Sequence, residues 1–158
     1  MHHGEGKLFD VIIEVPRWGF VKRGSTDKID FISPLPCPYN YGSIPAYVGL
    51  DGDLLDAVVL GPRLRRGTWL KMRAYGVIGL TDRGMYDDKL ICSAKPLSAL
   101  DRFLVLNFFR LYAVFKRILN IVRRRQGPSV CEGWRGVNGA IARARVRTDV
   151  WQGPTVDF

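Results

Sequence analysis

Hydrophobic residues are arranged in two different ways along the chain, and the change occurs near Pro96. Before Pro96, short runs rich in β-branched and aromatic residues alternate with glycine- and proline-containing turns, which is typical of strands. After it, apolar residues recur at intervals of three and four, which is the spacing of an amphipathic helix. Strands therefore precede helices, and this order predicts the α+β class with a barrel or strongly curved sheet.

Four strands are expected in the first part of the chain, at residues 8–15, 56–61, 68–80 and 85–94. The last two form a hairpin around the turn at residues 82–85. Residues 16–30 are expected to form a loop or a hairpin. Residues 33–47 contain four prolines and are expected to be irregular, because proline removes a backbone donor and favours turns.

A long helix is expected from Ser98 to about Arg125. Ser98, followed three residues later by Asp101, resembles a helix N-cap with an acid in the first turn. Gly127–Pro128 is expected to end this helix. Residues 138–150 are expected to form a shorter second helix. We expect the long helix to pack on the core with one face and to leave the other face solvated.

The composition is that of an ordinary globular protein with an excess of positive charge. The chain has 158 residues, 47% of them hydrophobic, and a net charge of +9. This predicts a single domain over residues 1–158, with residues 1–7 as a flexible N-terminus. The charge favours an anionic partner, whether nucleic acid, an anionic membrane surface or a phosphorylated small molecule, and does not choose among them.

Cysteine and histidine usage narrows the possible chemistry. Three cysteines are widely spaced, which argues against a disulfide framework or a zinc ribbon and favours the cytoplasm. The two histidines are His2 and His3, at the N-terminus. No histidine-based catalytic triad is therefore available in the body of the chain, and a metal site there would need oxygen ligands.

Acidic residues are concentrated in two short windows. The chain has fifteen acidic residues. Six of them lie in these two windows: Asp51, Asp53, Asp56, Asp82, Asp87 and Asp88. Crowded carboxylates repel one another, and a lysine or arginine, a metal ion or water can relieve that repulsion. In the simplest alternative, Asp51 belongs to an ordinary Asp-Gly turn and the other acids are solvated. If a curved sheet joins the two windows, the cluster suits Mg²⁺.

Cations and tyrosines occur among these acids and suit an anionic ligand. A lysine binds phosphate as a point charge, and a tyrosine hydroxyl donates one hydrogen bond to it. The candidates are Lys22, Lys89, Tyr39, Tyr41 and Tyr112.

Six segments of the sequence resemble one known family. They are EVP at 14–16, PYNYG at 38–42, LDGDLLD at 50–56, TDRGMYDDKL at 81–90, FFRLY at 108–112 and EGW at 132–134. In order and spacing they are similar to the soluble, family I inorganic pyrophosphatases over roughly residues 8–150.

This resemblance implies an α+β fold: an OB-like twisted β-barrel with one long and one shorter flanking helix, assembled as a homo-hexamer. It implies Mg²⁺-dependent hydrolysis of diphosphate to two phosphates, with several metal ions per site and Mn²⁺ as a possible substitute. Asp53 would accept the proton of the attacking water. The implied metal ligands are Asp51, Asp56, Asp82, Asp87 and Glu14, and the implied substrate-binding residues are Lys22, Tyr41, Lys89 and Tyr112.

The sequence departs from the family pattern at several positions. Leu54 follows the second aspartate of the first window, and polar residues of the family are replaced by Gly24, Ile29, Cys37 and Ala113. Cations that can compensate are Arg23, Lys28, Arg110 and Lys116. We expect a working but atypical pyrophosphatase.

The alternative is a degenerate member of the family that binds phosphate or a nucleotide with weak or no catalysis. Nucleic-acid binding is disfavoured because the acid cluster repels a phosphate backbone. Attachment of helix 98–125 to a membrane surface is a further alternative, although no membrane partner is expected.

Overall fold

The computed structural model describes residues 7–19, 21–23, 29–32, 37–49, 54–82, 85–122 and 129–146. The expectation of a flexible segment at residues 1–7 falls almost entirely outside these ranges. The elements are β1 Lys7–Val15, β2 Val21–Arg23, β3 Ile29–Ile32, β4 Asn40–Val48, β5 Leu54–Val59, β6 Trp69–Asp82, β7 Met85–Ser93, α1 Ala99–Val122, β8 Ser129–Arg135, α2 Val137–Arg143 and β9 Arg145–Val146.

Five strands close into a barrel in the order β1, β4, β5, β7, β6 and back to β1. Strands β5 and β7 are parallel, and the other neighbours in the barrel are antiparallel. β6 is long enough to pair with β1 through its first half and with β8 through its second half. The expected OB-like barrel with one long and one shorter helix is confirmed.

Strand β5 of the barrel buries apolar residues on both of its faces. Leu55, Ala57 and Val59 of β5 belong to the apolar cluster inside the barrel. Val58, between them, belongs to a second cluster in which Phe109 of α1 also packs. Because side chains alternate along a strand, the outer faces of β5, β6 and β7 form a layer covered by α1.

The expectation of an irregular segment at residues 33–47 is wrong for residues 40–47, which belong to β4. Pro45 is tolerated because the pairing of β4 with β5 is irregular between Ile44 and Val48. A strand forms here because β4 has partners on both sides, β1 and β5. Residues 33–36 lie outside the described ranges.

Gly42 marks the closest approach between β1 and β4. A Cβ atom built at Gly42 would lie 2.0 Å from the carbonyl oxygen of Ile12. The contact lies beside a break in strand register between Ile13 and Val15. Glycine is therefore required by the steric limit of the strand pair.

The start of the long helix is confirmed, with a reciprocal cap. The backbone N–H of Ser98 donates to the Asp101 carboxylate at 3.0 Å, and the backbone N–H of Asp101 donates to Ser98 Oγ at 3.0 Å. This is the geometry of a capping box. The expected end near Arg125 lies outside the described residues, which continue as helix to Val122.

The arrangement after α1 differs from the expected one. Strand β8 was not anticipated, and it interrupts the expected succession of helices by pairing with β6. Gly133 lies within β8 at a positive φ of 89°, and glycine is depleted in strands, so the residue pattern did not indicate one here. The second helix ends at Arg143, where β9 follows and pairs with β4.

As expected, α1 packs on the barrel with one face and exposes the other, but the exposed face carries large apolar side chains. Phe103 is 62% exposed and Ile118 is 53% exposed. Across the described residues, no helix combines the length and hydropathy needed to cross a membrane.

Candidate functional site

Lys89 is the centre of a buried polar cluster on the outer face of the barrel. Its Nζ atom lies 2.6 Å from a carboxylate oxygen of Asp56 and 2.8 Å from one of Asp87. It also lies 2.5 Å from the hydroxyl of Tyr41. The lysine is 4% exposed, so the three contacts replace most of the water that an ammonium group would otherwise bind.

The strand pattern explains why these side chains meet. Asp87 and Lys89 are two residues apart on β7 and therefore point to the same face. Asp56 of β5 is the register partner of Lys89 in the parallel pair. Tyr41 lies on the next strand, β4, opposite Val58. One basic and two acidic residues from distant parts of the sequence are thus brought together by barrel closure.

The cluster places two carboxyl groups against one ammonium group. Burial lowers the pKa of Lys89, but Asp56 and Asp87 oppose this effect and hold the pKa well above its usual value. Lys89 is therefore positively charged at neutral pH. Burial also raises the pKa of Asp87 to about 7, with Lys89 opposing the shift and Asp56 adding to it. Asp87 is therefore partly protonated at neutral pH, and the cluster carries its full excess of negative charge only above about pH 7.

Helix α1 completes the cluster with Tyr112. The Tyr112 ring packs at 6.0 Å from the Phe109 ring, and Phe109 is part of the apolar layer under the helix. Burial raises the pKa of the Tyr112 hydroxyl, which also feels the charges of Lys89, Asp87 and Asp56. Tyr112 is therefore a neutral hydrogen-bonding group in the field of the cluster.

Lys116 lies one helical turn after Tyr112, on the same side of α1. Its Nζ atom is 5.7 Å from the centroid of the Tyr112 ring, within the range of a cation–π contact. The charge of Lys116 lowers the pKa of Tyr112. The helix thus brings a second cation to the edge of the cluster.

Two of the departures from the family pattern lie in the same region. Cys37 is buried, and burial raises the pKa of its thiol to about 11 although Lys89 and a backbone hydrogen bond oppose the shift. Ala113 is also buried. Neither side chain supplies a charged or strong hydrogen-bonding group. Leu54 is buried, whereas Gly24 and the side chain of Ile29 lie outside the described residues.

Glu14 of β1 and Asp88 of β7 are both buried. Glu14 is 4% exposed and lies in the irregular step of β1 between Ile13 and Val15, the register partner of Tyr41. The backbone of Glu14 therefore lies next to β4, the strand that carries Tyr41 of the cluster. Asp88 lies between Asp87 and Lys89 on β7, so its side chain points to the opposite face from theirs.

The remaining predicted site residues fall wholly or partly outside the described residues. Asp51 and Asp53 have no described position, and the side chains of Asp82 and Lys22 are not described. The backbone of Asp82 ends β6, two residues beyond Leu80, which is the register partner of Asp87. The two acid windows thus approach each other through Asp56 and Asp87.

The donor set is suited to a hard cation. Asp56 and Asp87 supply carboxylate oxygens, the ligands preferred by Mg²⁺. Ser43, the register partner of Asp56, has a buried Oγ atom without a hydrogen-bond partner among the described residues. Within the described part of the chain, no three acidic, histidine or cysteine side chains form a metal site. The described residues therefore provide part of a site that fits a divalent ion.

Asn40 is a buried polar residue that the sequence analysis did not single out. Its Oδ1 atom accepts hydrogen bonds from the backbone N–H of Arg17 at 3.0 Å and of Leu64 at 2.8 Å. Its Nδ2 atom donates to the carbonyl oxygens of Val59 and Pro62. Asn40 thus joins two loops to the start of β4, just before Tyr41. Its position within the PYNYG segment at residues 38–42 was the feature of the sequence that could have identified it.

Comparison with known proteins identifies similar chains. The family model described as inorganic pyrophosphatase matches residues 11–112. A soluble inorganic pyrophosphatase of Oryza sativa subsp. indica is 34% identical over 103 residues, which are 59% of this chain and 48% of that protein. An inorganic pyrophosphatase of Streptomyces coelicolor is 34% identical over 125 residues, which are 66% of this chain and 76% of that protein. The chain thus spans about half the length of the rice protein.

The fold is shared with solved structures. An inorganic pyrophosphatase from Coxiella burnetii superposes with a TM-score of 0.67 at 25% identity, covering 90% of this chain and 95% of that chain.

Proposed function

Because this chain belongs to the inorganic pyrophosphatase family, we propose that it hydrolyses inorganic diphosphate to two phosphates. The observation that carries the proposal is the contact of Lys89 with Asp56, Asp87 and Tyr41. A buried lysine between two carboxylates offers a cation for phosphate oxygens and acidic ligands for metal ions in the same place. Such a combination suits a multiply charged anion that binds together with divalent cations.

The metal expected from the family, Mg²⁺ or alternatively Mn²⁺, fits the carboxylates of this region. Asp56 and Asp87 would hold it together with Asp51, Asp82 and Glu14. When bound, divalent ions neutralise the diphosphate and lower the pKa of a coordinated water.

Different residues of the chain would have different roles in the hydrolysis. Asp53 would accept a proton from the attacking water as its oxygen forms a bond to one phosphorus atom. The bond from that phosphorus to the bridging oxygen breaks, and the electron pair leaves with the second phosphate. Lys22, Lys89, Tyr41 and Tyr112 would bind phosphate oxygens, and the positive charges would stabilise the negative charge that develops on the leaving group.

Lys116 is proposed as an additional phosphate-binding residue. It lies on the side of α1 that carries Tyr112, whereas the buried neighbour Ala113 offers no charge. One missing charged hydrogen bond costs about 1.5 to 3 kcal/mol, and a cation one turn further along the helix offsets part of this loss. This supports a working enzyme rather than an inactive binding protein.

Phosphate release from diphosphate in the presence of Mg²⁺ tests the proposal. We expect wild-type protein to be active and Asp56→Asn to lose about a hundredfold in kcat. Asp10→Asn is the matched control, because Asp10 lies on the exposed part of β1, and it should keep the wild-type rate. Wild-type protein that binds phosphate or a nucleotide in calorimetry but releases no phosphate with Mg²⁺ or Mn²⁺ would establish the degenerate alternative.

The assembly and location of the protein are further proposals from the family. We propose a homo-hexamer in the cytoplasm, with diphosphate rather than nucleic acid as the partner. Light scattering coupled to gel filtration tests the hexamer through its mass. A monomer at micromolar concentration contradicts it.

A further inference from the structure

Ser43 is a buried polar residue of β4 that has no role in the reaction proposed above. Its side chain is 2% exposed, and its Oγ atom has no hydrogen-bond partner among the described residues. A buried hydroxyl without a partner costs free energy, because it has given up its hydrogen bonds to water. Such a group therefore points to a partner that becomes available when the protein functions.

The strand register places Ser43 beside the charged cluster. Ile44, the next residue, belongs to the apolar cluster inside the barrel, so Ser43 points to the outer face, as Tyr41 does. Asp56 is the partner of Ser43 on β5, and Lys89 is the partner of Asp56 on β7. The three side chains thus form a row across β4, β5 and β7, with Asp56 between Ser43 and Lys89.

The neighbouring side chains favour Asp56 as the partner of the Ser43 hydroxyl. On the opposite side of Ser43, its register partner on β1 is Ile12, which has an apolar side chain. Val58, two residues after Asp56 on the same face of β5, is also apolar. The hydroxyl of Tyr41 lies 2.5 Å from the ammonium group at the centre of the cluster. Among these described neighbours, Asp56 therefore offers the carboxylate that can accept a hydrogen bond from the serine.

The two side chains lie within reach of each other. Directly opposite residues of an antiparallel pair have Cβ atoms about 4.5–5.5 Å apart. In the structure, Asp56 Oδ2 lies 2.6 Å from Lys89 Nζ, on the side away from Ser43. An ionised carboxylate offers about four acceptor sites on its two oxygens. Rotation of the Asp56 side chain towards β4 therefore allows it to accept a hydrogen bond from Ser43.

We propose that Ser43 is a positioning residue for Asp56, and that its hydroxyl donates a hydrogen bond to the Asp56 carboxylate when that carboxylate ligates a divalent ion. The inference rests on the proposed function, in which Asp56 is a metal ligand. Carboxylates that bind metals are oriented by outer hydrogen-bond donors, and loss of such a donor weakens metal binding about 10- to 100-fold. Ser43 holds Asp56 from the β4 side, and Lys89 holds it from the β7 side.

Calorimetric titration of Mg²⁺ into the full chain, without diphosphate, tests this role. We expect Ser43→Ala to raise the Mg²⁺ dissociation constant about tenfold. Equal dissociation constants in wild type and Ser43→Ala would overturn the proposal.

Ser93→Ala is the matched control, because it removes the same hydroxyl from a half-buried position at the end of β7. Ser93 lies four residues beyond Lys89, and its Oγ atom accepts a hydrogen bond from the backbone N–H of Lys95 at 3.2 Å. This variant should bind Mg²⁺ like wild type. A loss as large as that of Ser43→Ala would show that the effect is not specific to the row and would contradict the proposal.

Urea unfolding in the presence of a chelator separates positioning from a merely structural role. Because Ser43 Oγ has no partner among the described residues, replacement by alanine should leave the unfolding midpoint unchanged or raise it. A lower midpoint for Ser43→Ala than for wild type would show that the hydroxyl stabilises the fold itself, and this outcome would also contradict the proposal.

Phosphate release over a range of Mg²⁺ concentrations distinguishes this inference from the proposed function. For Ser43→Ala we expect the Mg²⁺ concentration that gives half of the maximal rate to rise about tenfold. If wild-type protein neither binds Mg²⁺ nor hydrolyses diphosphate, the proposed function fails and the role of Ser43 fails with it. If wild-type protein does both and Ser43→Ala needs no more Mg²⁺, the role of Ser43 alone is wrong.

Discussion

Lys89 and Asp56 are register partners in the parallel pair of β5 and β7, and their charged atoms lie 2.6 Å apart. They are 33 residues apart in sequence. The contact exists because the strand order of the barrel places β7 beside β5, although β6 is the sequence neighbour of both. Sequence spacing alone does not predict this contact, which lies at the centre of the candidate site.

Removal of the Lys89 charge is expected to destabilise the protein and abolish its activity. In Lys89→Met, the buried carboxylates of Asp56 and Asp87 would face each other without a cation. Breaking a buried ion pair from one side costs about 3 kcal/mol or more. Urea unfolding in metal-free buffer measures the loss. Lys95→Met, at an exposed position, should unfold like wild type, and equal midpoints for the two variants would contradict the assigned role.

Loss of the Asn40 side chain is expected to destabilise the loops that meet at the start of β4. Asn40→Ala leaves the N–H groups of Arg17 and Leu64 and two backbone carbonyls without their partner. The expected decrease in unfolding free energy is about 3 kcal/mol. Asn107→Ala serves as the comparison, because that exposed side chain bonds within its own helix. It should change the free energy by less than about 0.5 kcal/mol.

Neutralisation of Lys116 is expected to weaken diphosphate binding. Lys116→Met removes a cation beside Tyr112, and the loss of a charged contact of about 1.5 kcal/mol raises KM about tenfold. Steady-state phosphate release over a range of diphosphate concentrations gives KM and kcat. Arg117→Met, the next residue on the exposed side of α1, should leave KM unchanged. An unchanged KM in Lys116→Met would remove this residue from the site.

The three thiols are expected to react in a defined order. Burial raises the pKa of Cys37 to about 11 and that of Cys92 to about 12. The thiolate is the reactive form, so at pH 8 only about one Cys37 in a thousand is ionised. Cys131 is less buried. Burial raises the pKa of its thiol, and a backbone hydrogen bond and the charge of Arg110 oppose this shift.

Mass spectrometry after brief iodoacetamide treatment at pH 8 tests this order. We expect Cys131 to be labelled first in the folded protein and Cys92 to be labelled only after unfolding in urea. A rise in pH should speed labelling of Cys37, because its thiolate fraction grows tenfold per pH unit below its pKa. Labelling of Cys92 before Cys131 would contradict the burial described for these residues.

Local patterns in the sequence were sufficient to locate many elements. The hairpin of β6 and β7 and the capped start of α1 follow from interactions within one segment: alternation, a tight turn and a reciprocal hydrogen bond between Ser98 and Asp101. The family resemblance rested on short segments whose residue types and spacing are themselves local. The order of strands and helices favoured a barrel or curved sheet, whereas its OB-like form and the roles assigned to Asp56, Asp87, Lys89 and Tyr112 were expectations of that resemblance.

Tertiary structure decided what local pattern cannot encode. β4 is a strand in spite of Pro45 because two neighbouring strands supply its partners, and β8 is a strand because the far half of β6 has an open edge for it. The ion pairs of Lys89 depend on a parallel register between strands distant in sequence. The exposure of the apolar outer face of α1 depends on which face the barrel covers. Periodicity in sequence shows that a face is apolar, but only packing determines whether that face is buried.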